Sequence, residues 1–353
     1  MPASLPNIID TDTPSLRREF EKLGIEPYRV EQILDWVFKK RVYEFEKMSN
    51  LPKNLREKLA GHLDLRVEPV ALKNQSENDA SAKLLVRLAD GQLVETVYIP
   101  KGVRRTVCVS SQVGCKFNCA FCASGQAGFF RNLSSSEIVS QVLRARDLSD
   151  KEGISNIVFM GIGEPFDNFD NVLRAVRFLN DPERLGIGAR KITISTCGVV
   201  PKIRKLADQG MQIELSISLH GASDEIRQKI MPVNKAWPLA ELLPACREYV
   251  DKTNREVTFE YILADGLNAS QDDAKALVEL LSGMRCKVNL IPLNPIPEFP
   301  YKRPTREHCL AFSNYLNDHG IHSTIRFSSG SDINAACGQL RSVALQGGIK
   351  IDD

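Results

Sequence analysis

The spacing of hydrophobic residues changes character along the chain. From Ser15 to about Leu63, apolar residues recur every three or four positions, which predicts a small module of amphipathic helices. Between Ala82 and Pro100, two runs of strand-forming residues flank Asp90-Gly91, which predicts a β-hairpin. The first third of the chain therefore combines a helical module with a hairpin.

Beyond Val107 the pattern predicts strands and helices in alternation. A strand over Val107–Ser110 leads into a cysteine-rich loop, and a helix over Ser134–Leu148 follows that loop. Further strands are predicted at Asn156–Met160, Lys191–Ser195, Glu214–Leu219, Thr258–Leu263, Lys287–Pro292 and His322–Arg326. Helices are predicted between them at Asn171–Leu179, Val200–Gln209, Leu239–Thr253, Ala274–Leu281 and Arg306–His319. This alternation is typical of an α/β barrel, closed or partial, whose site lies at the C-terminal strand ends.

Composition narrows the class of protein. The 353 residues exceed one average domain, and 43% hydrophobic with 25% charged residues is typical of a globular enzyme. A formal net charge of +2 excludes a basic field over the whole chain, so any nucleic-acid surface must be local. No apolar run reaches the roughly 18 residues of a membrane helix, and the N-terminus lacks a signal-peptide pattern, so we expect a cytoplasmic protein with no membrane partner.

The nine cysteines are odd in number and unevenly spaced, which favours reduced thiols over a disulfide framework. Three of them, Cys115, Cys119 and Cys122, have Cys-x3-Cys-x2-Cys spacing with no fourth ligand nearby. This spacing indicates a four-iron four-sulfur cluster with three cysteine ligands and one open iron. A zinc site would need a second pair of ligands, and chance clustering of buried cysteines is the other alternative. We expect four further cysteines to pack in the core: Cys197, Cys246, Cys286 and Cys309.

Small polar or acidic residues follow the predicted strands. Gly163 and Glu164 follow the strand that ends at Met160, in a turn that could also be simple tight loop geometry. Other strand ends carry Ser195, Ser218-Leu219-His220 and Asn294. A histidine in this position is more often a hydrogen-bonded structural residue than a ligand, but polar groups at successive strand ends predict a lined pocket.

Three residues have an ordinary interpretation when taken alone. Cys337, among small residues near the C-terminus, is typical of a buried cysteine, and Cys108 lies on the strand before the cluster loop. Glu95 is typical of a solvated strand carboxylate. The basic residues Lys101, Arg104, Arg105 and Arg131, and the run 39–41 in the helical module, fit either a solvated rim or phosphate contacts.

Together these segments resemble the RlmN-type radical S-adenosylmethionine RNA methyltransferases, which methylate carbon 2 of adenosine in large-subunit (23S) rRNA and in tRNA. The resemblance covers roughly residues 94–340 and is carried by the segments 94–100, 108–115, 131–133, 160–165, 218–220 and 336–340. It implies a partial (β/α) barrel of the radical SAM type with a small N-terminal helical accessory domain.

The resemblance also implies roles for individual residues. Cys337 would accept a methyl group, Cys108 would release the methylated RNA by forming a disulfide with Cys337, and Glu95 would accept a proton. A 5′-deoxyadenosyl radical, formed from a second S-adenosylmethionine at the open iron, would activate the methyl group before it adds to the base. The implied S-adenosylmethionine contacts are Gly163, Glu164, Ser195, Ser218, Leu219, His220 and Asn294.

The Cfr-like enzymes, which methylate carbon 8, share these cysteines. Pro165 and the proline-rich run 294–301 favour the carbon-2 group. A non-catalytic iron–sulfur RNA-binding factor is the alternative from another class. We expect rRNA and tRNA substrates, an electron donor such as flavodoxin or ferredoxin, and a monomer. The expected division is an RNA-binding helical domain at 1–75, a hairpin linker at 76–107, the barrel at 108–340 and a polar tail at 341–353.

Overall fold

A single ten-stranded sheet dominates the computed structural model, which describes residues 5–126, 128–149 and 153–341. The strands are β1 (Val70–Gln75), β2 (Ala82–Arg87), β3 (Leu93–Lys101), β4 (Arg104–Cys108), β5 (Gln112–Gly114), β6 (Phe129–Asn132), β7 (Asn156–Phe159), β8 (Ile192–Thr196), β9 (Glu214–Ser218), β10 (Val257–Leu263), β11 (Cys286–Pro292) and β12 (Ser323–Ile325). The order in the sheet is β1-β2-β3-β4-β7-β8-β9-β10-β11-β12, and β5 pairs with β6 separately.

The sheet is mixed and open. From β4 to β12 all neighbours are parallel, whereas β1 to β4 pair antiparallel. Within the described ranges β1 and β12 are the two edges, so the sheet does not close. The predicted partial α/β barrel is confirmed. The parallel strands bring the predicted polar strand ends to one edge.

Helices connect the parallel strands and cover the sheet. They are α1 (Thr13–Lys22), α2 (Arg29–Phe38), α3 (Lys53–His62), α4 (Ala123–Gln126), α5 (Ser135–Arg146), α6 (Phe169–Asn180), α7 (Val200–Ala207), α8 (Asp224–Ile230), α9 (Leu239–Thr253), α10 (Gln271–Leu281) and α11 (Arg306–Asp318). Local sequence fixes several starts: Ser134 caps α5 in a capping box with Glu137, and Ser270 caps α10 with Asp273. None of the helices described is long and apolar enough to cross a bilayer.

The N-terminal helices α1 to α3 form the module expected from the 3.6-residue period. It packs on the core through polar contacts, since Arg41 donates to the carbonyls of Arg146 and Ser149 and the Arg146 guanidinium donates to the carbonyl of Phe38. The strand β1, which follows the module, was not expected. Its sequence is an apolar half, Val70 to Leu72, followed by a polar half, and it is mostly exposed, so it lacks the alternation that predicts a strand. Pairing with β2 is what orders it.

A small hydrophobic cluster joins the end of the described chain to the sheet. Ala335 and Leu340 pack against Val97, Cys108 and Ile162. This contact places the segment 335–341 over the C-terminal ends of β4 and β7. The predicted tail, apart from Arg341, lies outside the described residues.

Candidate active site

The cysteine loop runs from β5 to α4 and is closed by a backbone hydrogen bond of 2.9 Å from Cys115 to the carbonyl of Gly128. Gly114 has φ +77°, and a Cβ there would lie 1.9 Å from the oxygen of Gly128, so only glycine fits. A second backbone bond, from the amide of Cys122 to the carbonyl of Cys119, tightens the turn. The loop thereby turns its cysteines toward one cavity.

Cys115, Cys119 and Cys122 line a single cavity at the strand ends, called here the cofactor cavity. Burial, with the nearby thiols of Cys122 and Cys115, raises the pKa of Cys119 well above its ordinary value. Within residues 5–126, 128–149 and 153–341, no three histidine, cysteine or acidic side chains gather as they would around one metal ion. Three cysteine sulfurs on the wall of one cavity are the soft donors that hold an iron–sulfur cluster, so the donor set fits a cluster.

Glu164 lies beside the cysteines on the wall of the cofactor cavity. Its side-chain oxygens accept backbone hydrogen bonds from Phe166 at 2.8 Å and from Cys197 at 2.7 Å. Burial raises the pKa of this carboxyl, and the two backbone donors oppose that shift. Gly163 has φ +101°, and a Cβ there would lie 2.5 Å from Cβ of Gln112, so glycine is required for the close approach.

The other predicted cofactor contacts meet at the same cavity with one exception. Ser195, Ser218, His220 and Asn294 all line it, whereas Leu219 does not and has its side chain fully buried in the core. His220 is also structural, since its Nδ1 accepts a hydrogen bond of 3.1 Å from the amide of Ile262. Burial, reinforced by the charge of Arg227, lowers the pKa of His220 to about 3, so the ring is neutral.

Cys337 lines the cofactor cavity and also a second cavity of about 350 Å³, called here the substrate cavity. Cys108 lines the substrate cavity as well. Cys337 is exposed, so the interpretation as an ordinary buried cysteine was wrong. Desolvation by the surrounding protein nevertheless raises the pKa of the Cys337 thiol, and the charge of Arg326 opposes that rise.

Four hydrogen bonds fix the segment that carries Cys337. The carbonyl of Gly338 accepts from the amide of Ala123 at 2.7 Å, and the carbonyl of Leu340 accepts from the Ser124 hydroxyl at 2.7 Å. Asn294 donates to the Cys337 carbonyl at 3.1 Å, and the Arg341 amide donates to Glu95 at 2.8 Å. The start of α4, the loop after β11 and the strand β3 therefore jointly position Cys337.

Glu95 is buried, so its interpretation as a solvated strand carboxylate was wrong. Its side chain lies on the same face of β3 as Val97, which pairs with Cys108. It forms an ion pair of 2.9 Å with Lys83 in addition to its bond from Arg341. Burial raises the pKa of Glu95, and the ion pair with Lys83 opposes that rise. It lies next to the Cys337 segment but lines neither of the two cavities.

The substrate cavity combines an apolar wall with positive charge at its mouth. Ile99, Val158 and Met160 are part of the wall, and Lys101, Arg104 and Arg326 also line the cavity. Phe327, which is 53% exposed, lies in the same lining. Burial raises the pKa of Cys108 to about 12, the thiol of Cys337 adds to the rise, and the charge of Arg326 opposes it. The cavity can therefore hold a flat, partly apolar group attached to an anionic chain.

The other basic residues considered for phosphate contacts are bound to groups of the protein itself. Arg131 forms ion pairs with Asp90 at 2.6 Å and Glu137 at 2.8 Å, which raise its pKa. Arg105 donates at 2.6 Å to the carbonyl of Gly153. In the run 39–41 of the helical module, the two lysines pair with Asp35. These contacts favour structural roles over phosphate binding.

Two residues of the cofactor cavity were missed or misread from the sequence. Cys197 is buried, as expected for packing, but it also lines the cavity, and its amide binds Glu164. Glu260 was not singled out, although it lies buried in β10 and lines the cavity. A lone acid within the apolar strand 257–263 is the signal that could have found it, since a buried charge needs a partner or a function. Of the others predicted to pack, Cys246 and Cys309 are buried and Cys286 is partly buried.

Comparison with known proteins agrees with this geometry. Residues 109–281 match the model of the radical SAM superfamily, and residues 6–65 match that of the ribosomal RNA large subunit methyltransferase N-terminal domain. Two relatives share the name "probable dual-specificity RNA methyltransferase RlmN". The one from Thermoanaerobacter sp. (strain X514) is 47% identical over 95% of this chain and 97% of its own, and the one from Geobacillus kaustophilus is 46% identical over 96% and 93%.

A solved structure agrees with the whole fold. The crystal structure of a radical SAM methyltransferase from Sphaerobacter thermophilus superposes with a TM-score of 0.92 at 43% identity, covering 95% of this chain and 99% of that one. The match therefore includes the helical module as well as the sheet. Sequence and structure together establish that the chain belongs to the RlmN family of RNA methyltransferases within the radical SAM superfamily.

Proposed function

We propose that the protein methylates carbon 2 of adenosine in 23S rRNA and in tRNA through an S-methylcysteine formed at Cys337. The observation that carries this proposal is the place of Cys337, which lines the cofactor cavity and the substrate cavity at once. A methyl group on its sulfur can be reached from either side. Carbon 2 of adenine is electron-poor, so a direct polar transfer to it is unfavourable and a carrier is needed.

Cys115, Cys119 and Cys122 would hold a four-iron four-sulfur cluster with one open iron, and S-adenosylmethionine would lie along Gly163, Glu164, Ser195, Ser218, His220 and Asn294. When bound, this pair of groups supplies the one-electron chemistry that activates the methyl group. Leu219 could contact S-adenosylmethionine only through its backbone, because its side chain is buried in the core. Asn294 both lines the cavity and holds the Cys337 carbonyl, so it links cofactor binding to the carrier.

Cys108 would resolve the adduct between Cys337 and the base. The adduct becomes a closed-shell thioether once the base has lost a proton and the unpaired electron has returned to the bound cluster. The Cys108 sulfur then bonds to the Cys337 sulfur, the carbon–sulfur bond breaks with its electron pair remaining on carbon, and that carbon takes up the proton that the Cys108 thiol gives up. A disulfide between the two cysteines remains and must be reduced before the next turnover. The shared cavity supports this step, and so does the contribution of the Cys337 thiol to the raised pKa of Cys108.

Glu95 would accept the proton that the modified base loses. Its burial and its position beside the Cys337 segment support the role, and the raised pKa suits a group that gains a proton. Its bond to the Arg341 amide also makes it a clamp for that segment. The two roles predict different results on substitution by glutamine, because glutamine can still accept the Arg341 amide but cannot take up the proton.

The target base would enter the substrate cavity after it leaves its stack. Exposed Phe327 offers a stacking surface, and Lys101 and Arg104 can meet the flanking phosphates. The helical module at 1–75 would add RNA contacts to the barrel at 108–340, with the hairpin region 76–107 joining them. A flavodoxin or ferredoxin as electron donor, a monomer and a cytoplasmic location stay predictions.

The test is product analysis. Anaerobically reconstituted protein is incubated with 23S rRNA or tRNA, S-adenosylmethionine and a reductant, and the digested nucleosides are compared by mass spectrometry with 2-methyladenosine and 8-methyladenosine standards. We expect 2-methyladenosine from both RNAs. The 8-methyl product would support the Cfr-like alternative, which the names of the relatives do not favour. No product from protein with an intact cluster would favour a non-catalytic RNA-binding factor.

A further inference from the structure

Glu260 is a buried acid at the centre of the parallel sheet. It is 3% exposed and lies on β10, in register with Ser218 of β9 and Asn289 of β11. Its Oε1 accepts hydrogen bonds of 3.0 Å from the Ser216 hydroxyl and 3.0 Å from the Asn289 amide. The guanidinium of Arg326 lies 3.7 Å from the same oxygen. One oxygen of the carboxyl is thus well satisfied.

The other oxygen, Oε2, is buried and accepts no hydrogen bond. Among the described residues that line the cofactor cavity, no other side chain has a buried nitrogen or oxygen without a partner. The oxygens of Glu164 and Nδ1 of His220 already accept backbone donors. A buried carboxylate oxygen without a donor is costly, so its place on a cavity wall indicates that a ligand supplies the donor.

The position of Glu260 indicates which part of a bound ligand would donate a hydrogen bond to Oε2. Glu164 follows β7, and Glu260 lies on β10, three strands further along the sheet, so the two carboxyls line different parts of the cavity. A ligand whose amino-acid part binds at Glu164 can therefore extend its other end towards Glu260. In S-adenosylmethionine that end is a nucleoside, whose ribose carries two adjacent hydroxyl donors. Carboxylates bind ribose hydroxyls in dinucleotide sites for the same reason.

We infer that Glu260 accepts a hydrogen bond from a ribose hydroxyl through Oε2 and so fixes the nucleoside relative to Cys337. The inference rests on the proposed function for the identity of the nucleoside, which we take to be that of the cofactor. The 2′-hydroxyl of the target nucleotide in RNA has the same chemistry, and two arms of the experiment separate these sources.

In the first arm, calorimetry measures the binding of S-adenosylhomocysteine and its 2′-deoxy and 3′-deoxy analogues to the reconstituted holoenzyme. We expect the wild type to bind at least one deoxy analogue about 10- to 100-fold more weakly than the parent, as for loss of a charge-assisted bond. Glu260→Gln should bind S-adenosylhomocysteine more weakly than the wild type does, and its affinities for S-adenosylhomocysteine and the deoxy analogues should differ less. Glu256→Gln, a matched change just before β10 at a residue paired with Lys287, should behave as the wild type.

In the second arm, binding of RNA with 2′-deoxyadenosine at the target position is compared with that of unmodified RNA. If the wild type binds the deoxy RNA more weakly but binds the deoxy cofactor analogues as well as the parent, the hydroxyl that Glu260 accepts from belongs to the RNA. Absence of discrimination by the wild type in both arms would overturn the inference, whether or not Glu260→Gln folds. Because cofactor binding is measured without turnover, a protein that fails to methylate RNA but still discriminates would overturn the proposed function alone.

Discussion

Replacing Gly338 by alanine tests whether the backbone of the segment 335–341 positions Cys337. Gly338 has φ +82°, and a Cβ there would lie 2.9 Å from the backbone oxygen of Phe121 in the cluster loop. The left-handed backbone costs alanine about 1 to 2 kcal/mol relative to glycine. Relief of the clash must move the segment away from the loop and weaken the bond from Ala123 to the Gly338 carbonyl, worth about 0.5 to 1.5 kcal/mol.

Gly320 provides a matched control. It also has φ +82°, but a Cβ there would meet nothing within 4 Å. Gly320→Ala therefore carries the backbone cost without the clash, and we expect it to lower the free energy of unfolding while leaving RNA methylation unchanged.

The extra cost in Gly338→Ala should appear as lost activity, because the segment 335–341 contributes no strand and can shift without unfolding the sheet. A displacement costing about 1.4 kcal/mol corresponds to a tenfold loss of the competent arrangement, so we expect methylation to fall at least about tenfold. The assays are product formation under anaerobic conditions, thermal unfolding, and the rate at which iodoacetamide labels Cys337. Equal methylation by the two alanine variants would refute the idea that contact with the cluster loop positions Cys337.

Three further predictions concern single side chains. Cys108→Ala should methylate Cys337 and form the RNA adduct but not release it, so a crosslinked band should accumulate on a denaturing gel; normal turnover would remove Cys108 from the mechanism. Glu95→Gln can still accept the Arg341 amide, so if Glu95 is the proton acceptor the variant should methylate Cys337 yet lose RNA product, whereas near-normal product would leave only the clamp. Because the pKa of His220 is lowered to about 3, its neutral form stabilises the fold above pH 6.5 and this contribution is lost as the pH falls towards 3. At pH 4.5, two pH units below the ordinary pKa of histidine, the free energy of unfolding should be about 3 kcal/mol lower on this account. In urea unfolding, the stability of His220→Asn should therefore change less with pH than that of the wild type. An equal dependence of stability on pH in both proteins would contradict the role of His220.

The sequence by itself determined the parts that depend on local pattern and spacing. The 3.6-residue period gave the N-terminal helices, alternation of strands and helices gave the parallel sheet, and the cysteine spacing indicated the cluster loop. Polar residues at strand ends converge because parallel strands share one edge, so Ser195, Ser218, His220 and Asn294 could be placed in advance. These features follow from a few neighbouring residues each.

Only the tertiary structure decided the state of residues whose surroundings come from distant segments. Cys337 is exposed between two cavities because the segment 335–341 is fixed by hydrogen bonds to β3, to α4 and to the loop after β11. Glu95 is buried because that same segment and Lys83 cover it. Residues of β9 and β11 donate hydrogen bonds to Oε1 of Glu260 and none to Oε2, so Oε2 is left without a donor on the cavity wall. Burial and hydrogen bonding are sums over contacts far apart in sequence, and no local pattern encodes them.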